Sequence, residues 1–125
     1  MKQSKIIRAY KTLLALSEQK LPLSVSHKLW TLMTKMAPQW EFQSKQEQDL
    51  IAKYEPEIAQ DGAVKFKSEE EENACKEEYT KLVSELADLD VEWDENKKTQ
   101  IHLDDKLDIS IGDIEALKDF VDFVE

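Results

Sequence analysis

One stretch constrains the fold of this chain more than any other: residues 24–54 repeat apolar side chains with a helical period and contain no glycine. Spacings of three and four residues place these side chains on one face of an α-helix, which would be about 45 Å long at 1.5 Å per residue. The repeating positions are Val25, Leu29, Leu32 and Met36. The stretch therefore predicts one long helix that Ser24 would cap and that Pro38 would kink or restart.

A second long helix is predicted over residues 68–88. Ser68 and Glu71 form the S-x-x-E pattern of a capping box, which marks a helix N-terminus. Apolar residues then follow at alternating steps of four and three, a seam suited to packing against another helix. The seam consists of Cys75, Tyr79, Leu82, Leu86 and Leu89. We expect this helix to lie antiparallel to the first, after an N-terminal helix over residues 4–17 that ends before Pro22.

The pattern changes to a period of two after residue 88, which is typical of a strand with one buried face. Leu89, Val91 and Trp93 alternate with acidic residues there. A turn over residues 95–98 and a second alternating run then predict a small β-hairpin over residues 89–104.

A short helix is predicted to close the chain. Ser110 and Asp113 have the spacing of a second cap, and an apolar stripe follows them. The stripe consists of Ile111, Ile114, Leu117, Val121 and Val124. Together with a short strand expected over residues 63–67, these elements predict a single domain, residues 1–125, of the α+β class and mainly α.

Charge is distributed unevenly along the chain. Residues 1–36 carry seven Lys or Arg and one acid, a net charge of +6, whereas residues 68–125 carry twenty acids and six lysines, a net charge of −14. Either the two ends attract each other, or the asymmetry serves partners, solubility and association rate. The total net charge is −10 and Arg8 is the single arginine, so direct nucleic-acid binding is not expected.

The sequence offers no pattern that carries catalysis or holds a cofactor. His27 and His102 are 75 positions apart and lack neighbours at metal-ligand spacing. The acids from Asp88 onward do not fit a calcium-binding EF-hand loop, which needs Gly at position 6 and Glu at position 12. Cys75 occupies a core-like helix position and is expected to be a buried, inert thiol. We therefore expect no enzyme activity and no catalytic, cofactor-binding or metal-binding residues.

Two surfaces are candidates for binding. The first is a row of acidic residues that alternate along the predicted strand: Asp88, Asp90, Glu92 and Asp94. A protein partner could recognise this row as it recognises nucleic-acid phosphates, or the row could be only a solvated face. The second is the broad apolar arc of the helix over residues 24–54, through which the chain could self-associate: Trp30, Met33 and Trp40.

Several phrases of the sequence resemble one family of small helical proteins from tailed phages and prophages of Gram-positive bacteria. The most distinctive is L-x-x-L-x-x-x-K-L-P, which begins at Leu13 and ends at Pro22. The others are Lys53-Tyr54 leading to Asp61-Gly62, the run from Leu86 to Trp93, and the run from Ile114 to Phe123. The family is uncharacterised and implies no catalytic residues. The resemblance implies a phage or prophage origin, action in the host cytoplasm, and a prefoldin-like pair of long helices joined by β elements.

The expected function is that of a non-catalytic phage or prophage protein, a protein–protein interaction module that binds and modulates a host or phage protein. The alternative is an oligomeric structural or assembly factor, chaperone-like, that uses the apolar arc. No window approaches the roughly 18–20 apolar residues of a membrane span, and no secretory signal pattern opens the chain. We therefore expect a cytoplasmic protein with a protein partner, no membrane association and no cofactor.

Overall fold

Two long helices, α2 (Leu23–Lys53) and α3 (Glu69–Ala87), dominate the computed structural model, which describes residues 1–102 and 107–124. The shorter helices are α1 (Gln3–Leu16) and α4 (Ile111–Leu117). The strands are β1 (Glu57–Ile58), β2 (Val64–Lys65), β3 (Thr99–His102) and β4 (Val121–Val124). Helix makes up 59% of the structure. The predicted α+β class with mainly α content is therefore confirmed, together with the long second helix and the N-terminal helix.

Side-chain caps explain where α3 and α4 begin. The Ser68 hydroxyl accepts a hydrogen bond from the backbone N–H of Glu71 at 3.1 Å, and Ser110 forms a reciprocal capping box with Asp113. Four glutamates in the first turn of α3 also stand at the positive end of the helix dipole, where negative charge is stabilising. Both serines cap their helices as predicted, but the capping box predicted for Ser68 and Glu71 is only half formed, because the Glu71 side chain does not bond back to Ser68 as Asp113 does to Ser110.

The start and the middle of α2 differ from prediction. Pro22 occupies the N-cap and the helix begins at Leu23, so the prediction that Ser24 caps it is wrong. The fixed φ of proline suits a position at a helix start. The helix also runs through Pro38 without restarting. Pro38 lies at an exposed position, where water can bond the backbone carbonyl that its missing N–H leaves unpaired.

Most buried apolar side chains form one core, in the part of the molecule that we call the body (residues 1–43, 83–102 and 107–124). Here α1 packs against the first part of α2, α4 packs against α1, and β3 and β4 complete the core. The buried residues are Ile6, Ala9, Leu13, Leu16, Val25, Leu29, Leu32, Met36, Ile101, Leu107, Leu117, Phe120 and Val121. Full burial of one such large apolar side chain contributes roughly 1.5–3 kcal/mol, so this core holds the fold together.

Residues 44–82 form an arm, in which the end of α2 and α3 pack as an antiparallel pair. At its tip β1 and β2 make an antiparallel hairpin, so the strand predicted over residues 63–67 is present at Val64–Lys65. Gly62 supplies the left-handed turn of this hairpin with φ +86°. Among the arm residues, all of which the structure describes, only Cys75 is buried. The arm therefore has almost no core of its own.

The β-hairpin predicted over residues 89–104 does not form. Its first half bonds to the start of the chain: the Val91 N–H donates to the Met1 carbonyl and the Gln3 N–H donates to the Leu89 carbonyl, both at 2.8 Å. Its second half is β3, which pairs in parallel with β4. The prediction failed because it joined the two nearest alternating runs, whereas both runs pair with segments that are distant in sequence. Residues 103–104, at the end of the predicted hairpin, lie outside the described residues.

The C-terminal helix is shorter than its apolar stripe predicted. It ends at Leu117, and Val121–Val124 is a strand. Val121 and Phe123 alternate with Asp122, so these residues fit a period of two as well as a helical period, and β-branched valines favour the strand. Parallel strands require a crossover connection, and α4 lies within the one that joins β3 to β4.

Candidate interaction surfaces

The acidic segment, residues 88–94, lies beside the N-terminus on the surface of the body. The ammonium group of Met1 donates to the Val91 carbonyl at 3.1 Å, and the Val91 N–H donates back to the Met1 carbonyl. Val91 and Trp93 pack against the core, and the ring of Trp93 meets Phe120 edge-on with 5.4 Å between centroids. The predicted alternation is therefore present at Val91 and Trp93 but not at Leu89, which is 42% exposed. The segment pairs through one isolated bridge rather than in a sheet.

All four carboxylates of the acidic segment are exposed, but their surroundings differ. Asp90 forms an ion pair with Lys2 at 3.5 Å, and the Lys2 ammonium also donates to the Asp88 backbone carbonyl at 3.0 Å. The Asp94 carboxylate accepts the N–H of Asn96 at 3.0 Å, which fixes the following turn. The structure thus brings the four residues onto one ribbon and places a lysine at one end of it.

A groove of about 260 Å³ separates the acidic segment from α2. Glu92 and Asp94 line it together with Lys35 and Lys97, and Trp93 contributes to its apolar surface. The complete lining is Leu32, Lys35, Gln39, Val91, Glu92, Trp93, Asp94, Lys97 and Thr99. Such a groove can hold an apolar side chain and offer both signs of charge to the groups around it.

The basic N-terminal helix pairs in part with the acidic C-terminal half of the chain. Lys2 bonds to Asp90, and the Lys5 ammonium lies 3.5 Å from the Asp119 carboxylate. Both pairs are exposed to water, so each contributes at most about 1 kcal/mol. Part of the charge asymmetry is therefore satisfied inside the molecule, as one of the two sequence interpretations expected.

The three residues predicted for self-association do not form one patch. Trp30 is 62% exposed, and its ring stacks with His27 at 6.0 Å between centroids. Met33 packs against the body core. Trp40 lies against α1, where its ring is 5.2 Å from that of Tyr10. Trp30 is thus the one member of the set whose side chain is largely open to solvent.

A polar cluster fastens the two helices of the arm near its tip. The Tyr54 hydroxyl donates to the Glu78 carboxylate at 2.6 Å, and the Lys53 ammonium lies 2.9 Å from the second oxygen of that carboxylate. The hydrogen bond to Glu78 raises the pKa of Tyr54 to about 12. The same bond, with that from Lys53, lowers the pKa of Glu78. These bonds hold the end of α2 to the middle of α3, and we call Lys53, Tyr54 and Glu78 the clamp.

Sequence reasoning missed Gln3, which joins the parts of the body. Its side chain is fully buried; its amide N–H donates to the Gln39 carbonyl of α2 at 3.0 Å, while its backbone N–H donates to Leu89. One residue thereby connects α1, α2 and the acidic segment. No periodicity or spacing marks a buried glutamine beside Lys2, so the sequence alone carried no signal for it.

The side chains with reactive potential are dispersed. Cys75 is buried as predicted, and burial raises the pKa of its thiol, which disfavours the reactive thiolate. Within residues 1–102 and 107–124, no group of three or more His, Cys, Asp or Glu side chains is placed to hold a metal ion. No helix in these ranges is long and apolar enough to cross a membrane.

No family model, curated protein or solved structure matches this chain. The functional argument therefore rests on the residues and surfaces described above.

Proposed function

We propose that the protein is a non-catalytic interaction module of phage or prophage origin, which binds a protein in the host cytoplasm and modulates it through the acidic segment. One observation carries the proposal: Asp88, Asp90, Glu92 and Asp94 are all exposed, Asp88 at the C-cap of α3 and the other three on the segment that Val91 and Trp93 anchor to the core. The core needs only the two anchors. Asp90 pairs with Lys2 and Asp94 fixes the following turn, but neither contact requires four like charges in succession. Recognition is the role that suits the whole set.

The groove beside the acidic segment supports a partner that presents a basic residue next to an apolar one. An apolar side chain would rest on Trp93, and its basic neighbour would approach Glu92 or Asp94, which line the groove. Exposed charges of this kind affect association rate and specificity more than affinity.

Imitation of a nucleic-acid backbone is the narrower form of the proposal. Alternate residues of an extended chain lie about 6.8 Å apart, so a regular row of carboxylates begins at Asp90, since Asp88 has the helical backbone of a C-cap. Lys2 at one end and Lys35 and Lys97 across the groove offset part of its charge. A partner with an apolar contact as well as a basic one therefore suits the geometry better than a reader of phosphates alone.

The test is affinity capture with three forms of the full chain: wild type, a variant with Asp88, Asp90, Glu92 and Asp94 changed to Asn or Gln, and a control. Asn at position 94 can still accept the N–H of Asn96, so the turn is retained. The control removes four exposed acids from α2 and α3: Glu41, Asp49, Glu77 and Glu85. We expect a partner that is retained by wild type and control, lost by the acidic-segment variant, and weakened by added salt. Equal recovery by all three forms would reduce the acidic segment to a solubility device.

Self-association as a structural or assembly factor is the second candidate, and Trp30 supports it. Leu23 lies seven residues before Trp30, on the same face of α2, and is 86% exposed. Exposed apolar residues one heptad apart suit packing against another helix. Sedimentation velocity at tens of micromolar should then show a dimer that Trp30→Lys dissociates and the control Ile111→Lys does not. A single species near the chain mass of 14.5 kDa would exclude this candidate.

A further inference from the structure

The tip of the arm carries an apolar groove that the acidic segment does not explain. The groove has a volume of about 430 Å³, and its lining includes Val64 and Phe66 from the hairpin side and Ile51, Cys75 and Tyr79 from the helices. Lys76 and Thr80 of α3 complete the lining. We call this the tip groove. Val64 is 46% exposed, and Ile58, its ladder partner on β1, is 70% exposed. Directly opposed residues in a ladder point to the same face, so the hairpin presents a continuous apolar face to solvent.

The outer edge of β2 borders the tip groove. Backbone N–H and C=O groups on this edge do not bond to β1. The Ala59 N–H donates to the Ala63 carbonyl at 2.9 Å, and the pairs that bond across an antiparallel ladder alternate with pairs that do not. The residue pairs that exchange backbone hydrogen bonds are thus Ala59 with Ala63 and Glu57 with Lys65. The N–H and C=O of Val64 therefore point away from β1. A second groove, of about 440 Å³, runs along this edge between β2 and the start of α3.

The charge around the second groove is negative. Glu69 and Glu72 line it, with Lys65 as the one cation of its lining. Glu72 also forms an exposed ion pair with Lys76 at 3.2 Å, so Glu69 is the carboxylate with more charge to offer. Residues 55–72, which form the hairpin and the first turn of α3, carry seven acids and two lysines. A ligand that fills the edge of β2 therefore meets carboxylates on its outer side and apolar side chains on its inner side.

We infer that the tip of the arm binds an extended segment of a partner protein, in which basic and apolar residues alternate, as a third strand on the outer edge of β2. Its backbone pairs with that of Val64, the mode of recognition known as strand addition. Its apolar side chains enter the tip groove over Cys75 and Tyr79, and its basic side chains meet Glu69 and Glu72. Alternate side chains of a strand point to opposite faces, so a single extended segment satisfies both requirements.

Charge favours this occupant over a second copy of the chain. Two tips would bring together two segments that each carry a net charge of −5 over residues 55–72. An alternating basic segment replaces that repulsion with attraction. The surface is also separate from the acidic segment, so the variants that test one leave the other unchanged.

The test is fluorescence anisotropy with labelled synthetic octapeptides and the full chain. The probe alternates valine and lysine; the controls alternate serine and lysine, and valine and glutamate. We expect the valine–lysine peptide to bind at least about tenfold more tightly than either control, since loss of the apolar contacts or of the charge match each costs about 1.4 kcal/mol or more. Equal binding of the serine–lysine peptide would show charge attraction alone and overturn the inference.

Substitutions in the tip groove, compared with a control on the body, test where the peptide binds. Val64→Asp should abolish binding, whereas Ile111→Asp, which adds the same charge at an 87% exposed apolar site on the body, should not. Tyr79→Ser, a helix surface change, provides the same test without altering the hairpin and should weaken binding by several-fold. Equal affinities of wild type and these groove variants would contradict the site.

Val64→Pro tests whether the backbone of β2 forms hydrogen bonds with the bound peptide. Proline removes only an N–H that points away from β1, as edge strands tolerate, so the hairpin should persist while peptide affinity falls about two- to tenfold. An unchanged affinity would exclude strand addition. If instead the wild type sediments as a dimer that Val64→Asp dissociates, and the valine–lysine peptide does not bind, the occupant is a second copy and the inference is wrong.

Discussion

The body and the arm use the same kind of helix in opposite ways. In the body, α2 presents Leu29 and Met36 to a core that neighbouring elements close on every side, and both are at most 1% exposed. In the arm, the same helix continues beyond Gln43 without a buried residue, and the contacts with α3 include exposed polar bonds such as those to Glu78. The difference teaches that one helix can provide both stability and an open surface, depending on how many elements pack against it.

The largest expected effect is in the body. Leu29→Ala removes buried methyl groups from a side chain that is 1% exposed and leaves a cavity, which should lower the free energy of unfolding by about 2–5 kcal/mol. Urea denaturation followed by circular dichroism measures this loss of unfolding free energy. A change below about 1 kcal/mol would mean that the body core is not as closed as described.

Leu50→Ala is the matched change in the arm and should cost less. Leu50 is half-buried, between α2 and α3, so truncation removes fewer contacts and the site can fill with water. We expect a loss of about 1 kcal/mol by the same denaturation assay, in line with ordinary substitutions away from a core. If Leu50→Ala lowers the free energy of unfolding as much as Leu29→Ala does, the distinction between body and arm is wrong.

The smallest expected effect concerns the clamp of Tyr54 and Glu78. The pKa of Tyr54 is raised from 10.0 to about 12, so its contribution to stability is present below pH 10 and is lost as the pH rises through 12. The pKa of Glu78 is lowered from 4.5, so its contribution is present above that value and lost as the pH falls through the lowered pKa.

Absorbance titration of tyrosinate tests the clamp, with Tyr54→Phe to assign the signal. Glu78→Gln should return the pKa of Tyr54 toward 10, because the negative hydrogen-bond acceptor is gone. An unchanged Tyr54 titration in Glu78→Gln would show that the hydrogen bond between the helices does not persist in solution.

Local signals in the sequence were sufficient to place helices α1 to α4, but not the start of α2 or the end of α4, and they did not determine the pairing of β3 with β4. The hydroxyls of Ser68 and Ser110 cap helices as predicted because a cap depends on residues within one turn. The pairing of β3 with β4 depends on a crossover between residues 102 and 121, which no local period encodes. Val121 and Phe123 were compatible with either period, and the tertiary partner decided between them.

The candidate surfaces show the same limit. The alternation of the acidic segment correctly predicted that Val91 and Trp93 pack inward, but it was wrong for Leu89, which is exposed. It could not predict that Met1 and Gln3 would provide its backbone partners, because they lie about ninety residues earlier in the chain. The apolar arc likewise identified Trp40 as a candidate but not its neighbour Tyr10, whose ring covers it.

Hydrogen–deuterium exchange of the full chain tests the central claim that stability resides in the body and that the arm is held open beside it. Amides that open only on global unfolding exchange most slowly, whereas segments with few buried contacts open separately. We expect α1 and residues 25–36 of α2 to be protected at least about tenfold more than residues 46–53 of α2 and 70–80 of α3, a difference of about 1.4 kcal/mol. Uniform protection along the whole of α2 would contradict the account.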